Sequence, residues 1–469
     1  MNPIARCLCV LLVFSMLAGS AEMPSDRQNA KDILKELIEI DTADSSGDVT
    51  RAAEAMAARF RAAGYPDSDI HVLAPVPRKG NLIVRLRGSS PTLKPILFLC
   101  HLDVVEARRE DWSVDPFQFI EKDGYFYGRG TQDMKSDDAL MVATFTRLKR
   151  EHFVPIRDMI LALTAGEESG IDNGPQWLLK EHRDLIDADY AIVPDAGGGQ
   201  IKNGKKLFMG VQAAEKNYAT FRIDARNAGG HSSLPKKDNA IYELADALVR
   251  LRQLEFPARL NPVTETFFKR LSEIEPGPVS GDFRAVTQTP PDPAAVERLS
   301  RDTYYNAVLR TTCIPTMLKG GHAENALPQL AEVTVNCRLV PGDTAAAVQN
   351  ELTKTVADPK LEVAPGLVTP ESPVSPLRVD VLNAITVAVE RTWGRIPVVP
   401  LMETGATDGK WLRIAGIPAY GVSALFLDVD DIRAHGRDER VSERSFYDGV
   451  RFDYELVRRL GSGSPGPVR

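Results

Sequence analysis

Side chains of the kinds that bind metal ions cluster where four strand-like segments of the sequence end. They are His101 and Asp103, Asp133, the adjacent pair Glu167 and Glu168, and Asp195. An imidazole with several carboxylates suits borderline or hard divalent cations, and zinc accepts both ligand types. Each group alone is weak evidence, because polar residues after a strand usually form a solvated turn. Together they predict a divalent-cation site.

The spacing within two of these groups indicates different roles for neighbouring side chains. Residues i and i+2 of a strand point the same way, so we expect the Asp103 carboxylate to accept the second imidazole N–H of His101 and fix its tautomer. Adjacent residues of an extended chain point in opposite directions. Glu167 and Glu168 are therefore expected to divide their roles, one binding a metal and the other facing a bound water.

The segments that position these residues alternate between strands and helices. Apolar strands are predicted at 81–86, 96–99, 159–163 and 190–193, and helices at 48–63, 137–150 and 176–182. This alternation indicates an α/β fold, with a mostly parallel sheet and helices on both of its faces. Such sheets place their ligand sites at the carboxyl ends of strands, which is where the candidate ligands lie.

The middle of the chain has a different order: strand, helix, strand, strand, helix, strand. These elements are predicted at 218–225, 239–254, 312–318, 332–339, 344–356 and 361–364. The order βαββαβ is typical of a small ferredoxin-like α+β domain. Proline-rich stretches interrupt it, and the alternation of the first domain resumes at residue 379. We therefore expect the small domain to be an insertion.

Composition excludes several classes of protein. The chain has 469 residues, of which 43% are hydrophobic and 26% charged, as in ordinary folded proteins and unlike collagen-like or disordered chains. It contains 57 Lys and Arg against 64 Asp and Glu, a net charge of −7. That balance provides no positive field for a phosphate backbone, so we expect no nucleic-acid partner.

Seven short strings resemble, in order, those of one enzyme family. They are HLDVV (101–105), YGRGTQDMK (127–135), TAGEESG (164–170), PDAGG (194–198), GGHSSLP (229–235), TGATD (404–408) and AHGRDER (434–440). Together they look like the di-zinc exopeptidase and aminoacylase family, which includes glutamate carboxypeptidase, carboxypeptidase S, the dipeptidases and the acyl-amino-acid deacylases. The strings span nearly the whole mature chain, and such an ordered set is highly specific.

The resemblance implies two Zn²⁺ ions in each protomer. Asp133 would bridge the ions, with His101 and Asp195 on one and Glu168 and His435 on the other. The charge of two dications exceeds that of the three ligand carboxylates by one unit, so a bridging hydroxide makes the site neutral. That neutrality favours a deprotonated, metal-activated water.

The resemblance also implies residues for proton transfer and substrate binding. Glu167 would be the general base that passes a proton from the water to the leaving nitrogen. His231 would stabilise the oxyanion in the other protomer's site, which implies a homodimer through the insertion; a turn-capping role for His231 stays open. Asn325 and Arg338 would hold the substrate carboxylate, with a structural arginine as the alternative. Gly405 would lie at the substrate end.

The family pattern also carries expectations about geometry and segments. Relatives tend to have a cis peptide after the bridging aspartate, here between Asp133 and Met134. Ser136 and Ala406 stand where many relatives have glycine, so the sequence departs from the family pattern in these two loops. The expected segments are a signal peptide (1–21), a zinc exopeptidase-like catalytic domain in two parts (22–211 and 368–469, the latter with a disordered tail), and an inserted lid and dimerisation domain (212–367).

The N-terminus resembles a cleaved secretory signal. Arg6 precedes an apolar run at 7–17 that is shorter than a bilayer span, and small residues follow at 18–21. We expect a secreted or periplasmic protein without a membrane span after cleavage; an uncleaved anchor is the alternative. Cys100 is expected to be a buried free thiol. A disulfide between Cys313 and Cys337 is possible.

These features favour a secreted zinc-dependent exopeptidase of carboxypeptidase or dipeptidase type. Its substrate would be a peptide with a free C-terminal carboxylate. A deacylase of N-acyl amino acids is the nearest alternative, since it uses the same chemistry and differs in the acyl pocket. A non-catalytic binding protein of the same fold is a third hypothesis, which loss of a ligand residue would have favoured; no ligand position is lost.

Overall fold

A computed structural model describes residues 24–463. The predicted signal peptide lies outside the described residues, as does most of the predicted tail. Within residues 24–463, no helix combines the length and the apolar character needed to cross a membrane.

The first segment of the chain alternates helices with strands. Its helices are α1 (Pro24–Glu39), α2 (Val49–Ala62), α3 (Lys135–Arg150), α4 (Gly174–Glu181) and α5 (Arg183–Ile186). Its strands are β1 (Ile70–Leu73), β2 (Asn81–Leu86), β3 (Ile96–His101), β4 (Ile120–Lys122), β5 (Tyr125–Tyr127), β6 (Met159–Thr164), β7 (Tyr190–Val193), β8 (Gly198–Lys202) and β9 (Lys205–Glu215). The predicted strands at 81–86 and 190–193 are confirmed as β2 and β7.

The middle segment contains the predicted small sheet and further helices. Its strands are β10 (Asn217–Arg226), β11 (Gly230–His231), β12 (Thr312–Gly320), β13 (Ala326–Leu327), β14 (Leu330–Leu339) and β15 (Leu361–Val368). Its helices are α6 (Ala240–Leu251), α7 (Pro262–Ile274), α8 (Pro278–Val286), α9 (Pro293–Leu299), α10 (Thr303–Leu309) and α11 (Ala345–Val356).

The last segment returns to the large sheet. Its helices are α12 (Val379–Trp393), α13 (Gly409–Ile414) and α14 (Glu443–Gly461). Its strands are β16 (Val398–Glu403), β17 (Ala419–Gly421), β18 (Phe426–Asp428) and β19 (Arg440–Ser442).

Strands of the first and last segments form one ten-stranded sheet. Its order is β1-β2-β6-β3-β7-β17-β9-β8-β18, and β16 pairs with β9 outside this path. The neighbours β6, β3, β7 and β17 run parallel, whereas β1 and β2 join antiparallel at one edge. The prediction of an α/β fold with a largely parallel sheet is confirmed, and the parallel centre brings several strand ends to one edge.

Helices cover both faces of this sheet because alternate strand residues point in opposite directions. All six residues of β3 are buried. Phe98 and Cys100 belong to the apolar core shared with α1, α2, α3, α12 and α14, while Leu97 and Leu99 belong to the core shared with α4, α5 and α13. Cys100 is a buried free thiol, as expected.

The small sheet has the order β12-β14-β10-β15 and is antiparallel throughout. Helices α6 and α11 pack against it through residues such as Leu244 and Leu352. This is the predicted βαββαβ arrangement. Cys313 and Cys337 face each other on β12 and β14 and form a disulfide. Strand β9 of the large sheet ends at Glu215, and β10 of the small sheet begins two residues later.

The proline-rich stretch between α6 and β12 is helical, which the sequence analysis did not predict. Helices α7, α8 and α9 each begin at a proline. Proline is tolerated in the first turn of a helix because the N–H it lacks has no partner there. These helices pack on the large sheet through a hydrophobic cluster that includes Phe267, Phe268, Phe283, Phe208 and Leu401.

Candidate active site

Five side chains converge beside the carboxyl ends of β3, β6 and β7 in two groups that share Asp133. His101 and Asp195 complete the first group, and Glu168 and His435 complete the second. Within each group the potential ligand atoms all lie within 4.8 Å of one another. The tertiary structure thus brings the predicted ligand set together from positions 101 to 435 of the chain.

The two oxygens of Asp133 face different groups. His101 Nε2 lies 3.1 Å from Asp133 Oδ1 and 3.3 Å from Asp195 Oδ1. His435 Nε2 lies 3.0 Å from Asp133 Oδ2 and 3.2 Å from Glu168 Oε2. Ligand atoms of a tetrahedral zinc site with bonds of about 2.0–2.1 Å are separated by about 3.3 Å. Both the spacing and the mixture of imidazole and carboxylate therefore fit a divalent cation in each group.

The electrostatics of the two groups favour positive charge. Burial lowers the pKa of His101, but the carboxylates of Asp195 and Asp133 outweigh it and raise that pKa well above its ordinary value. Hydrogen bonds to Asp133 and Glu168 raise the pKa of His435 to about 10. Glu168 Oε1 is buried without a hydrogen-bond partner in residues 24–463. The two groups contain three carboxylates and two imidazoles, and one carboxylate oxygen has no hydrogen-bond partner in the described residues. A bound cation would stabilise this concentration of negative charge.

Glu167 lies next to these groups and lines the same cleft, which has a volume of about 480 Å³. Burial raises the pKa of its carboxyl well above the usual range, and the charge of Asp195 raises it further. A carboxylate with a raised pKa is a stronger base at neutral pH. Gly405, predicted at the substrate end, also lines this cleft.

A family model described as "Peptidase family M20/M25/M40" matches residues 97–459, more than three quarters of the chain. The chain belongs to this peptidase family. As a member, it is a hydrolase of the peptidase or amidohydrolase type, and the family is metal-dependent. The resemblance seen in the sequence is confirmed.

Relatives of this M20 chain carry several functional names. The human "N-fatty-acyl-amino acid synthase/hydrolase PM20D1" is 28% identical, over 97% of this chain and 96% of that protein. "Probable carboxypeptidase S-like 2" of Dictyostelium discoideum is 26% identical, over 81% of this chain and 74% of that protein. Among solved structures, the M20 metallo-carboxypeptidase Sso-CP2 from Sulfolobus solfataricus shares the fold, with a TM-score of 0.66, 16% identity and coverage of 92% and 99%.

Asp103 does not hold His101 in the way the spacing predicted. His101 Nδ1 lies 2.9 Å from the backbone carbonyl oxygen of Asp103, and the carboxylate is 3.8 Å away, beyond hydrogen-bond distance. The carboxylate instead accepts the backbone N–H groups of Gly166, Glu167 and Glu168 at 2.8, 3.2 and 3.1 Å. The expectation was wrong because it ignored these main-chain donors, which the turn after β6 would otherwise leave buried without partners.

Glycine is required at the start of that turn. Gly166 has a φ of +83°, in the left-handed region, and a Cβ there would lie 2.7 Å from the carbonyl oxygen of Ile171. Its N–H is one of the three that Asp103 accepts. The turn therefore sets the positions of Glu167 and Glu168 relative to the end of β6.

Glu439 supports the bridging aspartate, a role that the sequence analysis did not assign. One oxygen accepts the backbone N–H groups of Gln132 and Asp133 at 2.6 and 3.1 Å. The other accepts the N–H of Gly130 at 3.0 Å and pairs with Arg129 at 2.6 Å. Glu439 is fully buried. It lies in the string AHGRDER, but a glutamate in a charged loop gives no sequence signal of burial.

The side chain of Gln132 binds the backbone of the loop that contains His435. The sequence did not predict this role either. Its side-chain oxygen accepts the backbone N–H groups of Arg433 and Ala434 at 2.7 and 3.0 Å, and its amide donates to the carbonyl of Arg440 at 2.8 Å. The loop that carries His435 is thus tied to the residue before Asp133. The peptide bond from Asp133 to Met134 is cis, as expected from the family pattern.

The predicted residues of the inserted domain lie outside the cleft lining. His231 and Asn325 are exposed, and β11 and β13 pair beside them, with His231 opposite Ala326. The Arg338 guanidinium lies 4.9 Å from the ring centre of Tyr218 on the neighbouring strand. In the described part of the chain, no carboxylate lies within ion-pair distance of Arg338.

Proposed function

We propose that this chain hydrolyses an amide bond next to a free carboxylate, in a peptide or an N-acyl amino acid, at a site that binds two zinc ions. The observation that carries the proposal is the division of the Asp133 oxygens between two ligand groups. A single carboxylate that reaches two ligand groups is the arrangement needed to hold two metal ions close together.

Each ligand residue has a defined task in this proposal. His101, Asp133 and Asp195 would hold one ion, and Asp133, Glu168 and His435 the other. When bound, such ions lower the pKa of a water and polarise the scissile carbonyl.

Glu167 would move the proton in this reaction. Its carboxylate would accept a proton from the water and return it to the leaving nitrogen. The Asp103 carboxylate keeps Glu167 at the cleft by holding its backbone N–H.

A free substrate carboxylate would be bound by the inserted domain. Arg338 carries a guanidinium with no carboxylate partner in residues 24–463, and a bidentate pair with a substrate carboxylate would satisfy it. Asn325 would add a hydrogen bond, and His231 would stabilise the oxyanion. These residues do not line the cleft of their own chain, which supports a homodimer in which the partner supplies them.

The inserted domain carries an apolar surface that supports this dimer. Strand β12 is at the edge of the small sheet, and its Ile314, Met317 and Leu318 are 64%, 55% and 65% exposed. Tyr242 and Val249 of α6 are also exposed. An exposed edge strand with apolar side chains is a template for pairing with another chain.

The acyl side of the substrate has two candidates. The human relative, which matches over nearly its whole length, is named for N-fatty-acyl amino acids, whereas the Dictyostelium relative is named as a carboxypeptidase. Either substrate leaves a free amino acid, so the chemistry at Glu167 is the same. The two kinds of substrate differ in the group on the acyl side of the amide, so the pocket that binds this group would distinguish them.

We also propose that the protein is secreted or periplasmic. The signal-like N-terminus supports this, as does the disulfide between Cys313 and Cys337, because disulfides persist in oxidising compartments. Mass spectrometry of the N-terminus of the expressed protein tests it. A mature chain that begins after residue 21 is expected, and an intact Met1 terminus in the cell's soluble fraction would contradict it.

The reaction is tested by identifying products from a mixed substrate pool by mass spectrometry. The pool contains dipeptides, longer peptides, C-terminally amidated peptides and N-acyl amino acids. We expect cleavage of substrates with a free carboxylate, loss of cleavage with a chelator, and recovery on adding Zn²⁺. Cleavage that persists in chelator, or no cleavage by protein that holds two metal ions, would contradict the proposal.

The dimer is tested by mixing two inactive variants. Glu167→Gln keeps His231 but lacks the base, and His231→Ala keeps the base. If His231 acts in the partner's cleft, a mixed dimer has one complete site, and activity returns on mixing. Two variants that stay inactive after subunit exchange, or a monomeric mass by light scattering, would exclude action across a dimer.

A further inference from the structure

A second cavity lies under the helices that the proline-rich stretch forms. Its volume is about 590 Å³, within the range of small-molecule pockets. Helices α7, α8 and α10 build its wall together with β9, through Phe208, Phe267, Leu271, Val279, Phe283 and Tyr304. The proposed catalytic chemistry makes no use of this cavity.

The cavity adjoins the catalytic cleft. Gln200 and Val429 line both spaces. Gln200 lies on β8, five residues after the candidate metal ligand Asp195. Leu427 and Ile432, close to Val429 in sequence, add apolar surface to the cleft itself. The cleft at the metal groups and the second cavity therefore share part of their lining, one polar and one apolar residue.

The lining has an apolar wall and several polar groups, of which Glu275 is half-buried between Leu271 and Val279 of the chain. Lys202, Asn203 and Lys205 are exposed at the turn between β8 and β9, whereas Phe208 and Phe283 are buried. A peptide backbone placed against the buried wall would lose hydrogen bonds to water that aromatic rings cannot replace. An aliphatic chain has no such groups, and it gains free energy as each methylene leaves water.

We propose that this cavity receives the long aliphatic acyl chain of an N-acyl amino acid, while the amide lies at the metal groups of the cleft. The inference rests on the proposed amide hydrolysis and assigns the acyl side of its substrate to named residues. It also gives the helical insertion a role, because without α7, α8 and α10 this wall would be open to solvent.

The test measures kcat/KM of the zinc-loaded enzyme for one amino acid acylated with chains from acetyl to oleoyl. We expect kcat/KM to rise by about fourfold for each added methylene until the cavity is filled. Val279→Trp places a large ring in the wall and should reduce the preference for the oleoyl over the acetyl substrate at least tenfold. Val154→Trp is the matched control, because Val154 is 64% exposed and lines neither cavity.

The possible results separate this inference from the proposed function. Hydrolysis of all chain lengths at equal kcat/KM, or a Val279→Trp variant with the selectivity of Val154→Trp, overturns the acyl-chain site and leaves amide hydrolysis standing. Absence of any hydrolysis contradicts the proposed function. Calorimetric binding of the oleoyl substrate by zinc-loaded Glu167→Gln then decides the site: weaker binding after adding Val279→Trp supports it, and equal binding overturns it.

Discussion

Glu439 accepts the backbone N–H of Asp133 at 3.1 Å, although 306 positions separate the two residues in the chain. His435, four residues before Glu439, contacts the side chain of the same aspartate at 3.0 Å. One loop thus supplies a candidate metal ligand and also holds the backbone of the shared carboxylate. The side-chain oxygen of Gln132, the residue before Asp133, accepts the backbone N–H groups of Arg433 and Ala434 in the same loop.

Replacing Glu439 with Gln should therefore weaken metal binding without removing a ligand. A glutamine offers one acceptor oxygen in place of two, and its NH₂ would face other donors. Leaving a buried N–H unpaired costs about 1–3 kcal/mol of folding free energy. We expect zinc affinity, measured by chelator competition, to fall about 10- to 100-fold, as for other groups that support metal ligands.

The neighbouring Asp438→Asn variant is a matched control for Glu439. Asp438 binds the backbone and hydroxyl of Ser113 and contacts none of the candidate ligands. Its zinc affinity should equal that of the unmodified protein. A Glu439→Gln variant that also keeps full affinity would show that the loop is held without this carboxylate.

Adjacent Glu167 and Glu168 should respond differently to the same change. Glu167→Gln removes the base, so we expect kcat to fall at least about 100-fold while both zinc ions stay bound. Glu168→Gln removes an anionic ligand oxygen that lies 3.2 Å from His435 Nε2, so zinc content should fall. Metal analysis together with kinetics distinguishes the two; equal zinc loss in both variants would contradict a base role for Glu167.

Arg338→Lys should reduce recognition of the substrate carboxylate. Lysine cannot make the two parallel hydrogen bonds of a guanidinium. We expect kcat/KM for free-carboxylate substrates to fall about 10- to 100-fold, mainly through KM. Arg222→Lys, in the same sheet but paired with Asp224, should have no such effect. If amidated and free substrates lose activity equally in Arg338→Lys, the arginine has a structural role only.

Lys216 should make the stability of the protein depend on pH. Burial lowers its pKa from 10.5 to about 7, and its ammonium donates to the carbonyls of Ala307 and Arg310 and to Thr312. The unfolded chain holds this proton up to about pH 10.5, so between pH 7 and 10.5 it binds more protons than the folded chain. Stability from this group therefore rises with pH across that window.

Urea denaturation at pH 7.5 and 9.5 measures the effect of Lys216. The free energy of unfolding should increase by about 2 kcal/mol more in the unmodified protein than in Lys216→Met. Subtracting the variant removes the contributions of the other titrating groups. Equal pH dependence in the two proteins would show that Lys216 keeps its proton in the fold.

Several parts of this fold could be predicted because local sequence determines them. Strands β2 and β7 are continuous apolar segments with clear boundaries, and the order of elements in the middle segment identifies a βαββαβ unit. The proline-rich stretch was not predicted as helical, because prolines that begin helices look like breaks when the packing of α7 to α9 on the large sheet is unknown.

The sequence by itself determined which residue types are available at the strand ends and, through its motifs, the family. Only the tertiary structure decided how they are used. The Asp103 carboxylate binds three backbone N–H groups rather than His101, and Glu439 is buried against the loop of Asp133. A carboxylate's partner depends on which donors are left unpaired around it in space, and backbone N–H groups carry no signature in the sequence of side chains.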